Sequence, residues 1–478
     1  MSKYETVIGL EVHVQLATAT KVFCGCSTAF GAPPNSNVCP VCLGLPGVLP
    51  VLNKKAFEYA IMVAFALECD VQKTVKFDRK NYYYPDLPKN YQISQFDMPI
   101  AYDGRITIAL ADGSAKDIRV KRAHLEEDAG KLLHDQDASY SFVDLNRTGM
   151  PLLEIVSEPD LSSPEEAYSY LTDLKRIIKY LGVSDCNMEE GSLRCDANVS
   201  LRKKGDTSLG VKVEVKNLNS FKAVRDSLEY EVGRQAEMLD EGDAIVQETR
   251  LWDEKKNVTV SMRTKEEAHD YRYFPEPDLV PFEVGADQLE RVRKEIPELP
   301  KIKEERFRKD YGLDGYNAGV LTAEREIAEF YEQVVGIYPE PRVVCNWITG
   351  EIMKNINERG GSIGDLGIQA EGLAELIRMS QEDRINMRSA REVLSEYIAT
   401  GKRPSEIVEE KGLEQVSDAG ELESMIDKVV SENAKSVNDL KNGKENALGF
   451  LIGQVMRYSK GKANPKVAGE MLKKKILS

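Results

Sequence analysis

The chain has 478 residues, of which 42% are hydrophobic and 30% are charged, and its formal net charge is −15. This length favours about two to four domains over a single hydrophobic core, and no apolar run approaches the roughly eighteen residues of a membrane span. The acidic average argues against non-specific nucleic-acid binding over the whole surface. The N-terminus lacks the continuous apolar segment of a secretory signal, so we expect a cytoplasmic protein that does not enter a membrane.

The first predicted element is a half-buried strand over residues 7–16, because apolar and polar side chains alternate there. Its apolar face carries Ile8, Leu10, Val12, Val14 and Leu16. Its polar face presents Glu11 and His13, about 7 Å apart along the backbone. Both side chains can therefore reach one ion.

Four cysteines follow this strand in a C-x-C and C-x2-C pattern, at Cys24, Cys26, Cys39 and Cys42. Four thiolates can close a tetrahedron around zinc, and a site without an open position is structural, not catalytic. The alternative is a set of reduced cysteines or a redox pair. The spacing, together with the neighbouring glycines and prolines, favours a zinc-binding loop over residues 24–42.

Residues 77–97 combine basic and aromatic side chains in the sequence FDRKNYYYPDLPKNYQISQFD. They include Arg79, Lys80, Tyr82, Lys89 and Tyr91. Such residues can stack a base and pair with phosphates. A surface loop anchored by its aromatic residues is the alternative that composition alone favours.

Two further segments, HLEEDAGK at 124–131 and LLEIVSEPD at 152–160, add acidic side chains among apolar strand residues. Buried carboxylates without compensation are costly, so this pattern predicts a cation, and carboxylate-rich sites suit Mg²⁺. An imidazole suits Mg²⁺ less well, so His13 either lies outside the innermost ligands or belongs to a site that accepts Mn²⁺. The alternative is a set of surface acids on edge strands.

A helix is predicted over residues 164–181, with Ser163 as its N-cap and Gly182 at its end. Strands are predicted over 193–202 and 211–216, and their alternation suggests an antiparallel pair. The polar residues of the first of these strands include Arg194, Asp196 and Asn198. We expect the helix to cover the apolar side of the sheet and the polar sides to form one floor.

Strand alternation gives way near residues 296–300 to amphipathic segments such as 324–335 and 346–358. The predicted fold is α+β, with a mainly antiparallel-sheet cradle domain over 1–294, a helical domain over 295–405 and a small helical tail over 406–478. Residues 441–478 hold nine Lys or Arg and two Asp or Glu, a balance of +7 that leaves −22 on the first 440 residues. This basic tail can hold a phosphate-bearing partner.

Several motifs together resemble one known family: VIGLEVHVQL, FDRKNYYYPDLPKNYQISQFDMPI, HLEEDAGK, VDLNRTGMPLLEIVSEPD, EEGSLRCDANVSL, EVKNLNSF, DYRYFPEPDLVP and the terminal ALGFLIGQVMRYSKGKANPKV. The chain is similar there to the B subunit of aspartyl/glutamyl-tRNA amidotransferase (GatB). Residues 300–440 match this family only in general helical character. No P-loop motif is present, so any nucleotide binds by another route.

The resemblance implies an enzyme subunit that uses ATP and Mg²⁺ to phosphorylate the side-chain carboxylate of Glu or Asp mischarged on tRNA-Gln or tRNA-Asn. Ammonia then displaces the phosphate. In the family, an amidase A subunit supplies the ammonia and a small C subunit completes a heterotrimer.

The resemblance also assigns roles to individual residues. The implied catalytic Mg²⁺ cluster is Glu11, His13, Glu127 and Glu154, with Glu126 as the rival of Glu127. The implied phosphate or substrate contacts are Lys89, Arg147, Arg194, Asp196 and Asn198. The implied tRNA contacts of the tail are Arg457, Lys460, Lys462 and Lys466.

Two other interpretations stay open on the sequence alone. A non-catalytic tRNA-binding adaptor would use the acids for folding or for partner contacts, and it would have no reason to bury them together. A free-standing carboxylate–amine ligase for small molecules would leave the basic tail without a role.

Overall fold

The computed structural model describes residues 3–110, 112–134, 140–264, 271–415, 419–459 and 463–477. The chain divides into two compact units, residues 1–300 and 301–478. The predicted α+β class is confirmed, whereas the domain boundaries at 294/295 and 405/406 stay predictions. Over the described ranges, no helix has both the length and the apolar character that crossing a bilayer requires.

The first unit contains helices and all of the strands found in the described residues. The helices are α1 (Lys54–Ala66), α2 (Pro164–Leu181), α3 (Phe221–Glu241) and α4 (Ala286–Glu295). The strands are β1 (Tyr4–Gln15), β2 (Asp70–Val71), β3 (Thr74–Val75), β4 (Asp78–Asn81), β5 (Tyr91–Ser94), β6 (Ala101–Ala109), β7 (Ala115–Glu127), β8 (Lys131–His134), β9 (Ser141–Asp144), β10 (Pro151–Ser157), β11 (Leu193–Lys203), β12 (Val213–Lys216), β13 (Glu248–Asp253), β14 (Val258–Thr264), β15 (Phe274–Pro275) and β16 (Phe282–Glu283).

The main sheet positions the candidate site. Within the described residues it has nine strands in the order β14-β13-β12-β11-β1-β10-β7-β6-β2. Neighbouring strands are antiparallel except β12 and β13, which run parallel. The predicted strands at 7–16 and 193–202 are confirmed as β1 and β11, and the predicted antiparallel partner at 211–216 forms over 213–216 as β12. β1 lies between β10 and β11, away from both edges of the sheet.

One face of this sheet is the core of the first unit. Ile8, Leu10, Val12 and Val14 of β1 are almost completely buried, and burying one such side chain stabilises the fold by about 1.5–3 kcal/mol. Helix α2 packs its apolar residues into the same core. The predicted N-cap is confirmed, since the Ser163 hydroxyl accepts from the Glu166 N–H at 3.2 Å. The opposite face is therefore the one that remains accessible.

The second unit is helical in its described residues. Its α-helices are α5 (Pro300–Asp310), α6 (Gly315–Leu321), α7 (Arg325–Ile337), α8 (Pro341–Trp347), α9 (Met353–Arg359), α10 (Ala370–Gln381), α11 (Met387–Thr400), α12 (Pro404–Lys411), α13 (Ala419–Glu432), α14 (Ala434–Lys441), α15 (Asn446–Tyr458) and α16 (Pro465–Leu477). A π-helical turn over Ile348–Ile352 joins α8 to α9, and a 3-10 turn spans Gly364–Leu366. Two hydrophobic cores hold the unit together, one between residues 307 and 408 and one between 422 and 476.

Candidate catalytic and metal sites

Polar side chains of four neighbouring strands form a row across the accessible face of the main sheet. The strand register places His13 opposite Arg194 on one side and opposite Glu154 on the other, and Glu154 lies opposite His124. Residues directly opposite each other in paired strands point to the same face. The row runs along the floor of a cavity of about 540 Å³.

Imidazole and carboxylate groups meet in the middle of this floor. The His13 Nε2 atom lies 3.4 Å from Glu154 Oε2 and 3.6 Å from Glu126 Oε1. On the other side, His124 Nε2 lies 3.2 Å from Glu154 Oε2 and 3.5 Å from Glu126 Oε2. One ligand atom from each of His13, Glu126 and Glu154 lies within 4.8 Å of the others, so these three residues can hold a metal ion.

The ionisation of this cluster follows from burial and from the mutual contacts. Burial acts to lower the pKa of His124, but Glu154 and Glu126 outweigh it and raise that pKa to about 9. The pKa of His13 is raised for the same reasons. Burial acts to raise the pKa of Glu154, yet His124 and His13 hold it well below its usual range. The cluster therefore keeps a carboxylate ionised in a desolvated position, as a metal site requires.

Glu11 lies on the same face of β1, two residues before His13. Its carboxylate accepts a hydrogen bond from Asn198 Nδ2 at 3.0 Å. Asp196, opposite Glu11 on β11, forms an ion pair with Lys216. The structure thus places Glu11, Asp196 and Asn198 beside the cluster, and each of the three side chains already forms a hydrogen bond or an ion pair with a neighbour.

Glu127 lies on the other face of β7 and does not join the cluster. Like the core residues Ala123 and Leu125, it occupies an alternate position along β7 and therefore points to the core side of the sheet. Its Oε1 accepts a hydrogen bond from the Ile93 N–H at 2.9 Å and pairs with Lys89. The structure therefore brings Glu126, the rival candidate, to His13 and Glu154. Lys89 is likewise removed from the floor, since it lies with Glu127 in a separate cavity of about 200 Å³ near the cysteine loop.

The two predicted arginines reach the main cavity but are already engaged with Asp128. Arg194 donates to Asp128 Oδ2 at 2.8 Å, and Arg147 donates to the carbonyl groups of Ala129 and Gly130 at 3.0 and 2.6 Å. Burial acts to raise the pKa of Asp128, but Arg194 and Arg147 lower it. Both arginines therefore hold the end of β7 in place as well as lining the site.

Two further cations line the cavity: Lys80, from the basic and aromatic segment of residues 77–97, and Arg122, which the sequence analysis did not single out. Lys80 lies over the rings of Tyr271 and Tyr82, with 4.8 and 5.8 Å from Nζ to the ring centroids. Arg122 precedes His124 on the same face of β7, and its buried Nε has no hydrogen-bond partner. Among the described residues, neither forms an ion pair with a carboxylate, unlike Arg194 or Lys216. The alternation of Arg122, His124 and Glu126 along β7 is the sequence signal that could have identified Arg122.

The four cysteines of the predicted zinc loop come together, with one sulfur from each within 4.8 Å of the others. Cys42 Sγ accepts from the Cys39 N–H at 3.2 Å. A hydrogen bond from Cys24, outweighing the effect of burial, lowers the pKa of Cys42 to about 4. Four sulfurs at this spacing, one of them held as a thiolate, fit a metal ion such as Zn²⁺.

Of the four residues predicted to contact tRNA, the structure describes two. Arg457 lies in the last turn of α15 and Lys466 in the first turn of α16, and both are exposed. Lys460 and Lys462 lie outside the described residues.

Comparison with known protein families covers most of the chain. A family model described as the GatB/GatE catalytic domain matches residues 6–290, which include every residue of the acidic cluster. A second model, described as the GatB domain, matches residues 329–476.

Full-length relatives are similar along the whole chain. The B subunit of the aspartyl/glutamyl-tRNA(Asn/Gln) amidotransferase of Carboxydothermus hydrogenoformans is 55% identical over 479 residues, covering 100% of this chain and 99% of its own. The proteins of the same name from Moorella thermoacetica and Myxococcus xanthus are 53% and 51% identical, and each alignment covers 99% or more of both chains. The chain therefore belongs to the family of B subunits of the tRNA-dependent aspartyl/glutamyl amidotransferases.

Proposed function

We propose that this subunit uses ATP to phosphorylate the side-chain carboxylate of glutamate on tRNA-Gln, of aspartate on tRNA-Asn, or of both. The observation that most supports this is the convergence of His13, Glu126 and Glu154 beside Lys80 and Arg122. A carboxylate-rich centre next to these two cations suits phosphoryl transfer, which depends on positioning and on neutralising charge. The substrate class rests on the names of the full-length relatives.

The proposed reaction has two steps. An oxygen of the amino-acid carboxylate attacks the γ-phosphorus of ATP, the bond from phosphorus to the ADP oxygen breaks, and an acyl phosphate forms. Ammonia then attacks the carbonyl carbon, phosphate leaves with the electrons of the broken carbon–oxygen bond, and the nitrogen loses a proton. Activation is needed because a free carboxylate has no leaving group that ammonia can displace.

His13, Glu126 and Glu154 are the residues that would hold the divalent cation, which we propose to be Mg²⁺. Two of the three ligands are carboxylates, and their spacing fits one ion. The imidazole makes Mn²⁺ an acceptable substitute. When bound, the ion would neutralise negative charge on the phosphate groups of ATP.

The remaining groups of the cavity position the two substrates. Lys80 and Arg122 are the cations available to phosphate oxygens. Tyr82, Tyr271 and Tyr273 line the same cavity and offer flat faces on which an adenine or the terminal base of the tRNA can stack. Arg194 and Asp128 keep the floor rigid, so that these groups hold their positions before ATP binds.

The proposed assembly is a heterotrimer in the cytoplasm with an amidase A subunit, which hydrolyses glutamine to ammonia, and a small C subunit. A protein of this family is one subunit of an amidotransferase complex. The zinc-loop cysteines would brace the segment after β1 and take no part in the chemistry.

The proposed function is tested with the purified complex, ammonium chloride in place of glutamine, and each mischarged tRNA. We expect amide formation and ADP release in equal amounts, both dependent on ATP. Hydroxylamine in place of ammonium should trap the acyl phosphate as a hydroxamate. Amide formation without ATP, or ATP hydrolysis that does not respond to mischarged tRNA, would contradict the proposal.

The tail is proposed to bind the tRNA body through its phosphates. The variants Arg457→Glu and Lys466→Glu should weaken tRNA binding most strongly at low salt, because each loses one phosphate contact and adds a repulsive charge. The slope of log K against log salt should fall by about one for each lost contact. Filter binding or fluorescence anisotropy over a range of salt concentrations measures both quantities.

The matched control is Lys444→Glu, which makes the same change of charge in the same tail. Lys444 Nζ lies 3.0 Å from Asp439 Oδ1, so this cation already has an anionic partner. We expect a smaller effect on tRNA binding. An equal loss of affinity in all three variants would indicate that overall charge matters, not a specific contact.

A further inference from the structure

A lysine side chain lies completely buried beside the four cysteines. Lys21 follows β1, and its surface is 0% exposed. Its backbone N–H donates to the Cys26 carbonyl at 3.0 Å, and its alkyl chain passes close to Gly149, where an added Cβ would lie 3.6 Å from Lys21 Cδ. Burying an ammonium group is costly unless an anion accompanies it. The role of this side chain therefore depends on which anion accompanies Lys21 Nζ.

The contacts of Lys21 Nζ leave one candidate for that anion. The nitrogen lies 3.7 Å from Cys42 Sγ and 3.4 Å from the Leu145 carbonyl oxygen. Among the residues that the structure describes, no carboxylate forms an ion pair with it. Glu127 faces Gly149 through its Oε2 atom, but the charge of this carboxylate is already paired with Lys89 through Oε1. A carbonyl oxygen has no net charge, so the negative charge comes from the sulfur of Cys42.

We propose that Lys21 is the counter-cation of a zinc centre formed by Cys24, Cys26, Cys39 and Cys42. Four thiolates exceed the charge of one zinc ion. Cys24, Cys26 and Cys39 are partly exposed to water, whereas Cys42, the cysteine that contacts Lys21, is buried. Lys21 offsets part of this charge from inside the fold, where solvent cations do not reach. It is a positioning residue and not a zinc ligand, because an ammonium group has no lone pair to donate.

The same side chain connects the zinc centre to the cradle. Leu145 begins the turn that carries Arg147 and Gly149, and Arg147 holds the backbone at the end of β7. Lys21 therefore contacts both the cysteine loop, at Cys42, and the turn next to the floor of the cavity, at Leu145.

The proposal predicts that Lys21 stabilises the fold more with zinc bound than without it. With zinc bound, the ammonium lies beside a centre that gathers four thiolates. After zinc removal the four ligands are no longer held together as thiolates, so less negative charge lies beside Lys21. A neutral side chain of similar length should therefore destabilise the zinc-loaded protein more than the zinc-free one. A role in packing alone would give equal effects in both states.

The test compares wild type with Lys21→Met in the full-length chain. Zinc affinity is measured by competition with a chromophoric chelator, and Tm is measured with zinc and after chelation. We expect zinc affinity to fall about 10- to 100-fold, the range for losing a group that supports metal ligands. The Tm of Lys21→Met should be below that of wild type with zinc, and the difference should be smaller without zinc. Unchanged zinc affinity, or equal Tm changes in both states, would overturn the proposal.

Two further variants keep the test decisive. Lys303→Met replaces another buried lysine, which pairs with Glu332 at 3.0 Å, and should leave zinc affinity unchanged. If Lys21→Met does not fold with zinc, Lys21→Met is made in the background of Cys42→Ala. There it should raise the Tm, because the partner anion is already absent. A lower Tm in that background, or a wild-type chain that binds no zinc, would refute the counter-cation role.

Discussion

Replacing Glu126 or Glu154 with glutamine is expected to reduce ATP-dependent amidation on the order of 100-fold or more, with tRNA binding retained. Glutamine keeps the volume of the side chain and removes the charge that pairs with His13 and His124. The cluster then cannot neutralise a divalent ion. Initial rates with ammonium chloride measure the effect, and tRNA affinity is measured separately with the same preparations.

The control for this prediction is Glu127→Gln on the opposite face of β7. This change breaks the pair with Lys89 and should lower the Tm, with a smaller loss of amidation than at Glu126. An equal or larger loss at Glu127 would favour the assignment that the sequence resemblance first implied. Full amidation in both Glu126→Gln and Glu154→Gln would favour a non-catalytic tRNA-binding adaptor.

Replacing Lys80 with methionine is expected to lower kcat/KM for ATP about 100-fold or more, because a cation facing the transferred phosphate is lost. Burial acts to lower the pKa of Lys80, but Tyr273 and Glu126 raise it, so the ammonium stays charged in the cavity. Its lack of a carboxylate partner among the described residues makes it available to phosphate. Steady-state kinetics with varied ATP and saturating mischarged tRNA measure the loss.

Two other variants separate charge from shape at this position. Lys80→Arg keeps the charge and should recover part of the activity. Lys216→Met removes a cation that already pairs with Asp196, so its effect should be smaller than that of Lys80→Met. If Lys216→Met costs as much as Lys80→Met, the availability of Lys80 is not what matters, and the assignment to phosphate is wrong.

Several of the strands and helix ends were predictable from local patterns in the sequence. The alternation in residues 7–16 and 193–202 predicted β1 and β11, and Ser163 with Gly182 predicted both ends of α2. The order of the nine strands and the parallel pairing of β12 with β13 depend on contacts between distant segments, which no local pattern records. Those features became visible only in the structure.

The candidate site was predicted less completely than the fold. Alternation placed Glu11 and His13 on one face of the first strand, and only the resemblance joined Glu154 to them, which the structure brings to 3.4 Å from His13. Glu126 and Glu127 are neighbours with the same chemistry. Choosing between them required knowing which of the two points to the same face of the sheet as Glu154 on β10. The sequence contains this information, because the apolar residues Ala123 and Leu125 alternate with Glu127 along β7 and therefore share its face. The pairing of Lys89 with Glu127, by contrast, joins residues far apart in sequence and had no local signal.

The cluster lies on β1, β7 and β10, each of which is hydrogen-bonded to a neighbour on both sides. Such strands are the last part of a sheet to open, so their amides should exchange with solvent only through global unfolding. A one-residue slip of β10 would turn Glu154 into the core and dismantle the cluster. The geometry of the cluster is thus as durable as the fold itself.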